Sequence, residues 1–151
     1  MTKPPRKTFR PRKTTATPRA DLGGSVTVFA AGCFNRVHSA HLRLLRRARS
    51  LGDRLIVVLS NDAHNRKPNA VPASRRRRRL RELRVADEVI IGDADGFAAT
   101  LRRARPDILV LGYDQRLPDA QTGAAVRELG VEVVVMPWFP GKEDPGAARC
   151  S

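Results

Sequence analysis

Val26-Thr27-Val28-Phe29-Ala30-Ala31-Gly32-Cys33-Phe34-Asn35-Arg36-Val37-His38-Ser39-Ala40-His41 is the stretch on which the fold turns. Its opening run, Val26–Ala31, is small, β-branched or aromatic throughout, as a strand buried on both faces requires. Gly32 ends it. Ser39–Leu51 then sets Leu42, Leu45 and Ala48 at spacing three, with Arg43, Arg46, Arg47 and Arg49 largely opposite. That pattern predicts an amphipathic helix, stopped by Gly52. A buried strand, a glycine turn and a helix make the first half of a βαβ unit.

The alternation continues to the far end of the chain. Leu55–Leu59 is an aliphatic second strand, and Pro68 and Pro72 mark a loop. Ser74 is placed to cap a helix running to about Val85. Val89–Ile91 reads as a third strand, Phe97–Ala104 as a short helix and Ile108–Leu111 as a fourth strand ended by Gly112. Residues 119–129 read as a helix stopped by Gly130, and Val131–Val135 as a fifth strand. The expected architecture is α/β: a doubly wound five-stranded parallel sheet with helices on both faces. Ligands of such sheets bind beyond the carboxyl ends of the strands, here the segments after Ala31, Ser60, Gly92 and Leu111.

Composition narrows the class. The 151 residues are 41% hydrophobic, enough for one compact domain and too apolar for a wholly disordered chain. No apolar stretch approaches the roughly 20 residues that span a bilayer, and none near Met1 resembles a secretory signal. The only cysteines, Cys33 and Cys150, exclude a disulfide scaffold and a four-cysteine zinc site. A reducing cytoplasmic setting is expected, with no membrane partner. The net charge of +14 points to a phosphate-rich ligand or a polyanion. Residues 1–24 hold seven of the basic side chains, one acid and four prolines, and read as a disordered basic arm ahead of a domain over 25–151. The remainder is still +8. Arg75–Arg79 is a second basic run, on a helix, with one or two side chains expected to face the site. Arm and run together form a candidate nonspecific contact for nucleic acid or another polyanion.

His38 and His41 carry the first chemical signal. At spacing i, i+3 in the first turn of a helix they share one face. The free N–H groups and positive dipole end of that helix attract anions, so two imidazoles there can donate to a polyphosphate. His64 reads as a solvated loop histidine, Asp93-Ala94-Asp95-Gly96 as a turn, and Trp138 and Phe139 as cover for the sheet.

Gly-x-Phe-x-x-x-His-x-x-His at Gly32–His41 resembles the signature of the cytidylyltransferase-like nucleotidyltransferases, usually written GTFDxxHxGH. Leu44–Asp53 with Leu55–Val58, Lys67-Pro68 with Pro72 and Arg76, and Asp87–Gly92 are similar to later parts of that family. Pro106–Gln115 is similar to its archaeal-type FAD synthetases. The resemblance implies a Rossmann-like fold and transfer of a nucleoside monophosphate from a nucleoside triphosphate to a phosphate monoester, with release of pyrophosphate. ATP with FMN is favoured; CTP with a phosphorylated alcohol such as glycerol phosphate is the alternative. Under the resemblance His38, His41, Lys67 and Arg76 are catalytic or phosphate-holding, Gly32, Cys33, Phe34, Asn35, Ser39 and Ala40 lie along the nucleotide, and Asp114 approaches the nucleoside. Mg2+ would bind mainly through substrate phosphates and water, with no protein metal site, and a homodimer is the candidate assembly.

Three motif positions depart from the signature: Cys33 for Thr, Asn35 for Asp and Ala40 for Gly. A late Ser/Thr-rich motif of the family would begin about where Arg149-Cys150-Ser151 stand, so the domain is expected to be truncated there. These departures keep a different class open: a nucleotide- or nucleic-acid-binding protein with impaired catalysis.

Overall fold

A computed structural model describes residues 25–113 and 115–139. Five strands, β1 (Thr27–Gly32), β2 (Arg54–Leu59), β3 (Glu88–Ile91), β4 (Ile108–Leu111) and β5 (Glu132–Val135), form one sheet of order β3-β2-β1-β4-β5. Every pairing is parallel. Four helices cross between them: α1 (Ser39–Arg49), α2 (Ala73–Leu83), α3 (Phe97–Ala104) and α4 (Ala120–Leu129), with a single 3-10 turn at Asp62–His64. The chain winds outward from β1 to β3, returns past β1 and winds outward again through β4 to β5. The strand order therefore reverses between β1 and β4.

Alternation along each strand divides the core into two layers. Val28 and Ala30, Leu55, Val57 and Leu59, and Ile108 and Val110 pack with Leu45 and Ala48 of α1 and Leu80 of α2. Phe29, Ile56 and Val58, and Leu109 and Leu111 pack with Ala98 and Leu101 of α3 and Ala125 and Val126 of α4. Both faces of β1, β2 and β4 are thus covered, which explains why these strands read as unbroken apolar runs. Among the described residues no helix is long and apolar enough to cross a membrane.

Register is held at the amino ends by a repeated device. Asp53, Asp87 and Asp107 each stand one residue before a strand and reach the strand beside it. Asp53 Oδ2 accepts the Val26 N–H at 2.7 Å, Asp87 Oδ2 the Leu55 N–H at 2.8 Å and Asp107 Oδ2 the Thr27 N–H at 2.8 Å. The aspartate N–H groups return the bond to the carbonyls of the same three residues. Asp87 also pairs with Arg49 of α1 at 2.9 Å. Gly52 sits where a Cβ would come within 2.8 Å of the Val26 carbonyl, so the turn into β2 tolerates no side chain.

Two sequence expectations are corrected. Ser74 does not cap α2; the helix begins at Ala73, and the Ala73 N–H is satisfied by Asp62 Oδ1 at 2.9 Å from the preceding loop. Trp138 does not cover the sheet: it is half exposed, whereas Phe139 packs on the α1 and α2 layer as expected.

Candidate functional site

The chain leaves β1 through a strained turn. Phe34 has φ of +53°, in the left-handed region that costs a bulky residue energy. What holds it there is packing: its ring is buried and lies over Gly32, where a Cβ would meet the ring at 2.9 Å. The same ring meets His41 at a centroid distance of 4.8 Å, and His41 stacks on His38 at 3.8 Å with 22° between planes. Gly32, Phe34, His38 and His41 therefore form one stacked unit at the amino end of α1. His38 is the extended residue before the helix, and its N–H donates to His41 Nδ1 at 3.3 Å. With Nδ1 accepting, the neutral His41 ring carries its proton on Nε2, as a donor. Ser39 is exposed and Ala40 buried in the same turn.

Asn35 and Asn65 form a reciprocal amide pair. Asn35 Nδ2 donates to Asn65 Oδ1 at 3.0 Å, and Asn65 Nδ2 donates back to Asn35 Oδ1 at 2.8 Å. Asn35 Oδ1 also accepts the Val71 N–H at 3.0 Å. The side chain at the signature's Asp position is thus committed to protein partners, and it ties the loop 61–72 to the motif. Lys67 rides half-buried on that loop.

Arg76 corrects the sequence reading more sharply. It was expected to hold phosphates, yet it is fully buried and its guanidinium is spent within the protein. Nε donates to the Val71 carbonyl at 2.6 Å, Nη1 to the Cys33 carbonyl at 2.8 Å and the Ser60 Oγ at 3.3 Å, and Nη2 to the Ser60 carbonyl and Asp62 Oδ1, both at 2.9 Å. These contacts fill its five donors. Arg76 clamps the carboxyl ends of β1 and β2 to the loop, while Arg79, one turn on, donates to the Asn35 carbonyl at 3.0 Å.

A cleft of about 700 Å³ opens on the α3 and α4 side of the sheet, across the reversal point. Ala31, Gly32 and Cys33 form its floor with Leu59 and Leu111, and the loop 115–119 forms one wall. Gly32 and Cys33 of the expected nucleotide contacts line it; His38, His41 and Lys67 do not. Asp114 lies outside the described residues. His64 faces the cleft and donates from Nε2 to the Ala94 carbonyl at 2.8 Å, a role its loop setting did not reveal. Asp119 lies across from it and caps α4, accepting from the Thr122 N–H and hydroxyl, both at 2.7 Å. The Thr122 hydroxyl, then the Thr122 N–H, hold the Asp119 carboxyl below its ordinary pKa, with a smaller contribution from His64. Gln115 Oε1 accepts the Gly112 N–H at 2.6 Å and closes the turn after β4. Among the described residues no three His, Cys, Asp or Glu side chains converge as a metal cage.

A parallel sheet with a cleft at its reversal point, and paired histidines at the helix that leaves β1, make a Rossmann-like α/β fold with its candidate site where the strand order reverses. The chain belongs to the cytidylyltransferase-like family, which matches residues 29–146. It is 32% identical over 114 residues to a FAD synthase of Thermoplasma volcanium, covering 74% of this chain and 80% of the relative. The FAD synthase of Thermoplasma acidophilum is 37% identical over 109 residues, covering 70% and 77%. That of Ferroglobus placidus is 34% identical over 120 residues, covering 78% of each. A solved structure described as a lipopolysaccharide core biosynthesis protein from Thermoplasma volcanium superposes with a TM-score of 0.68 at 31% identity, covering 77% of this chain and 99% of that one.

Proposed function

We propose that this protein is an FMN adenylyltransferase, making FAD and pyrophosphate from ATP and FMN. The observation that carries the reading is the stacked Gly32–Phe34–His41–His38 unit beside the reversal-point cleft, in a chain whose relatives above bear the name FAD synthase. The FMN phosphate attacks the α-phosphorus of ATP in line, the bond to the bridging oxygen breaks, and pyrophosphate leaves with the electron pair. Such a transfer is catalysed by positioning and by neutralising charge. The nucleoside portion occupies the cleft over Gly32 and Cys33. The triphosphate turns toward the amino end of α1, where backbone N–H groups and the His41 Nε2–H present donors. Lys67 adds a positive charge from the loop 61–72, and Arg76 acts only by fixing the Cys33 and Ser60 carbonyls. Mg2+ would be carried mainly on the substrate phosphate oxygens and water.

Incubation with ATP, FMN and Mg2+, followed by chromatography of the flavin and assay of pyrophosphate, tests the reading; CTP with glycerol phosphate is the competing pair. His38→Ala and His41→Ala should each lower kcat by roughly 10²-fold, the loss expected when a transition-state donor is removed. FAD formation at the wild-type rate in both variants would overturn the histidine assignment. Turnover of CTP but not ATP would overturn the substrate.

A further inference from the structure

We infer that the outer face of α1 and α2 is a docking surface for the phosphodiester backbone of a nucleic acid. Charge is segregated between the two helical layers. Residues 39–51 and 73–84, which build the layer over β1, β2 and β3, contain eleven arginines and one acid, Glu82. Residues 97–105 and 119–130, on the other face, contain four arginines and two acids. Pairing follows the same division. On the α3 and α4 side Arg102 bonds Glu128 at 3.1 Å and Arg103 bonds Asp93 at 2.8 Å. On the α1 side Arg49 is engaged with Asp87, and on α2 the buried Arg76 and the half-buried Arg79 point inward.

Of the others, Arg46 and Arg47 on α1 and Arg75, Arg78 and Arg81 on α2 are exposed. The five-arginine run is therefore not itself the surface; its second and fifth members turn inward and bind the motif carbonyls of Cys33 and Asn35. Arg75, Arg78 and Arg81 recur at spacing three, so they form a row along one side of α2. Like charges at that spacing destabilise a helix. A polyanion along the row removes the repulsion, and guanidinium groups bind phosphate oxygens through two parallel N–H donors. A nucleic acid fits better than a membrane surface. An interfacial helix needs a broad apolar face to insert, and the only large exposed apolar side chain on these two helices is Leu83.

The test compares two triple variants of the full chain in binding a labelled 20-nucleotide RNA, at several salt concentrations. Arg75→Gln, Arg78→Gln, Arg81→Gln removes the row. Arg102→Gln, Arg105→Gln, Arg127→Gln removes the same charge from the opposite layer. The first should weaken binding at least about tenfold at 0.1 M salt and flatten the salt slope by about 2, near 0.7 for each lost contact. The second should weaken it less than about twofold, and thermal melting should show both variants folded. Equal losses in the two triples would mean that only net charge matters and would overturn the surface. So would wild-type binding weaker than roughly 100 μM at that salt. Phosphatidylserine vesicles serve as the rival partner: if they, and not RNA, are lost with the α2 row, the occupant is wrong.

Discussion

Asn35 shows how one atom can decide a site. In the signature this residue is an aspartate, and a carboxylate here could still accept from Asn65 Nδ2 and the Val71 N–H. It could not donate to Asn65 Oδ1, now 3.0 Å away, and Asn65 is buried. Asn35→Asp should therefore cost about 2 kcal/mol at pH 8, the scale of an unsatisfied buried acceptor beside a charge. Protonation restores the missing donor, so burial raises the pKa of the introduced carboxyl in the folded state. The penalty is absent below its unfolded pKa and grows as pH rises through the folded one. Urea midpoints at pH 8 and about pH 3.5, below the ordinary Asp pKa of about 3.9, measure it. Wild-type stability at pH 8 would show that the amide pair does not bind the loop 61–72 to the motif.

At the scale of elements, two sets of carboxylates make separable contributions. Asp87→Ala removes both the acceptor for the Leu55 N–H and the partner of Arg49. A loss of about 1–2 kcal/mol is expected, read as a fall in the urea midpoint with an unchanged slope. Asp119 caps α4, and Asp119→Ala should cost about 1 kcal/mol at neutral pH. Its carboxyl is held below the ordinary value, so this contribution is complete above the unfolded pKa and disappears as pH falls through the folded one. The gap between wild type and Asp119→Ala should therefore close in acid, while Asp119→Asn, which keeps an acceptor oxygen, should show little of that dependence. The strands and helices were legible because both faces of the central strands are buried and the helices carry one apolar side. Their bounds shift by only a residue or two. The cap of α2 was not legible, since Asp62 reaches Ala73 across a loop and spacing cannot encode that. Arg76 misled for a related reason: in sequence it is one of five like residues, and only the fold decides which one is swallowed. The histidine pair could be read because two residues of unusual chemistry fall within one helical turn.

For the molecule as a whole, residues 1–24 carry four prolines and seven basic side chains, with no core-forming pattern. Deleting residues 1–24 is accordingly expected to move Tm by less than about 3 °C, no more than the shift that about 1 kcal/mol produces in a domain of this size. Calorimetry of the full and shortened chains makes the comparison, and a larger drop would mean that the segment packs on the domain. The Asp53, Asp87 and Asp107 latches carry a consequence at this scale. They lie at the amino ends of the strands, while the cleft opens at the carboxyl ends. Strand alignment is thus settled at the end of the sheet remote from chemistry. Descent with modification can then revise the cleft or the turn beside it, trading Thr for Cys or Asp for Asn, without putting the frame at risk. A lineage built this way can change what it acts on while inheriting how it folds.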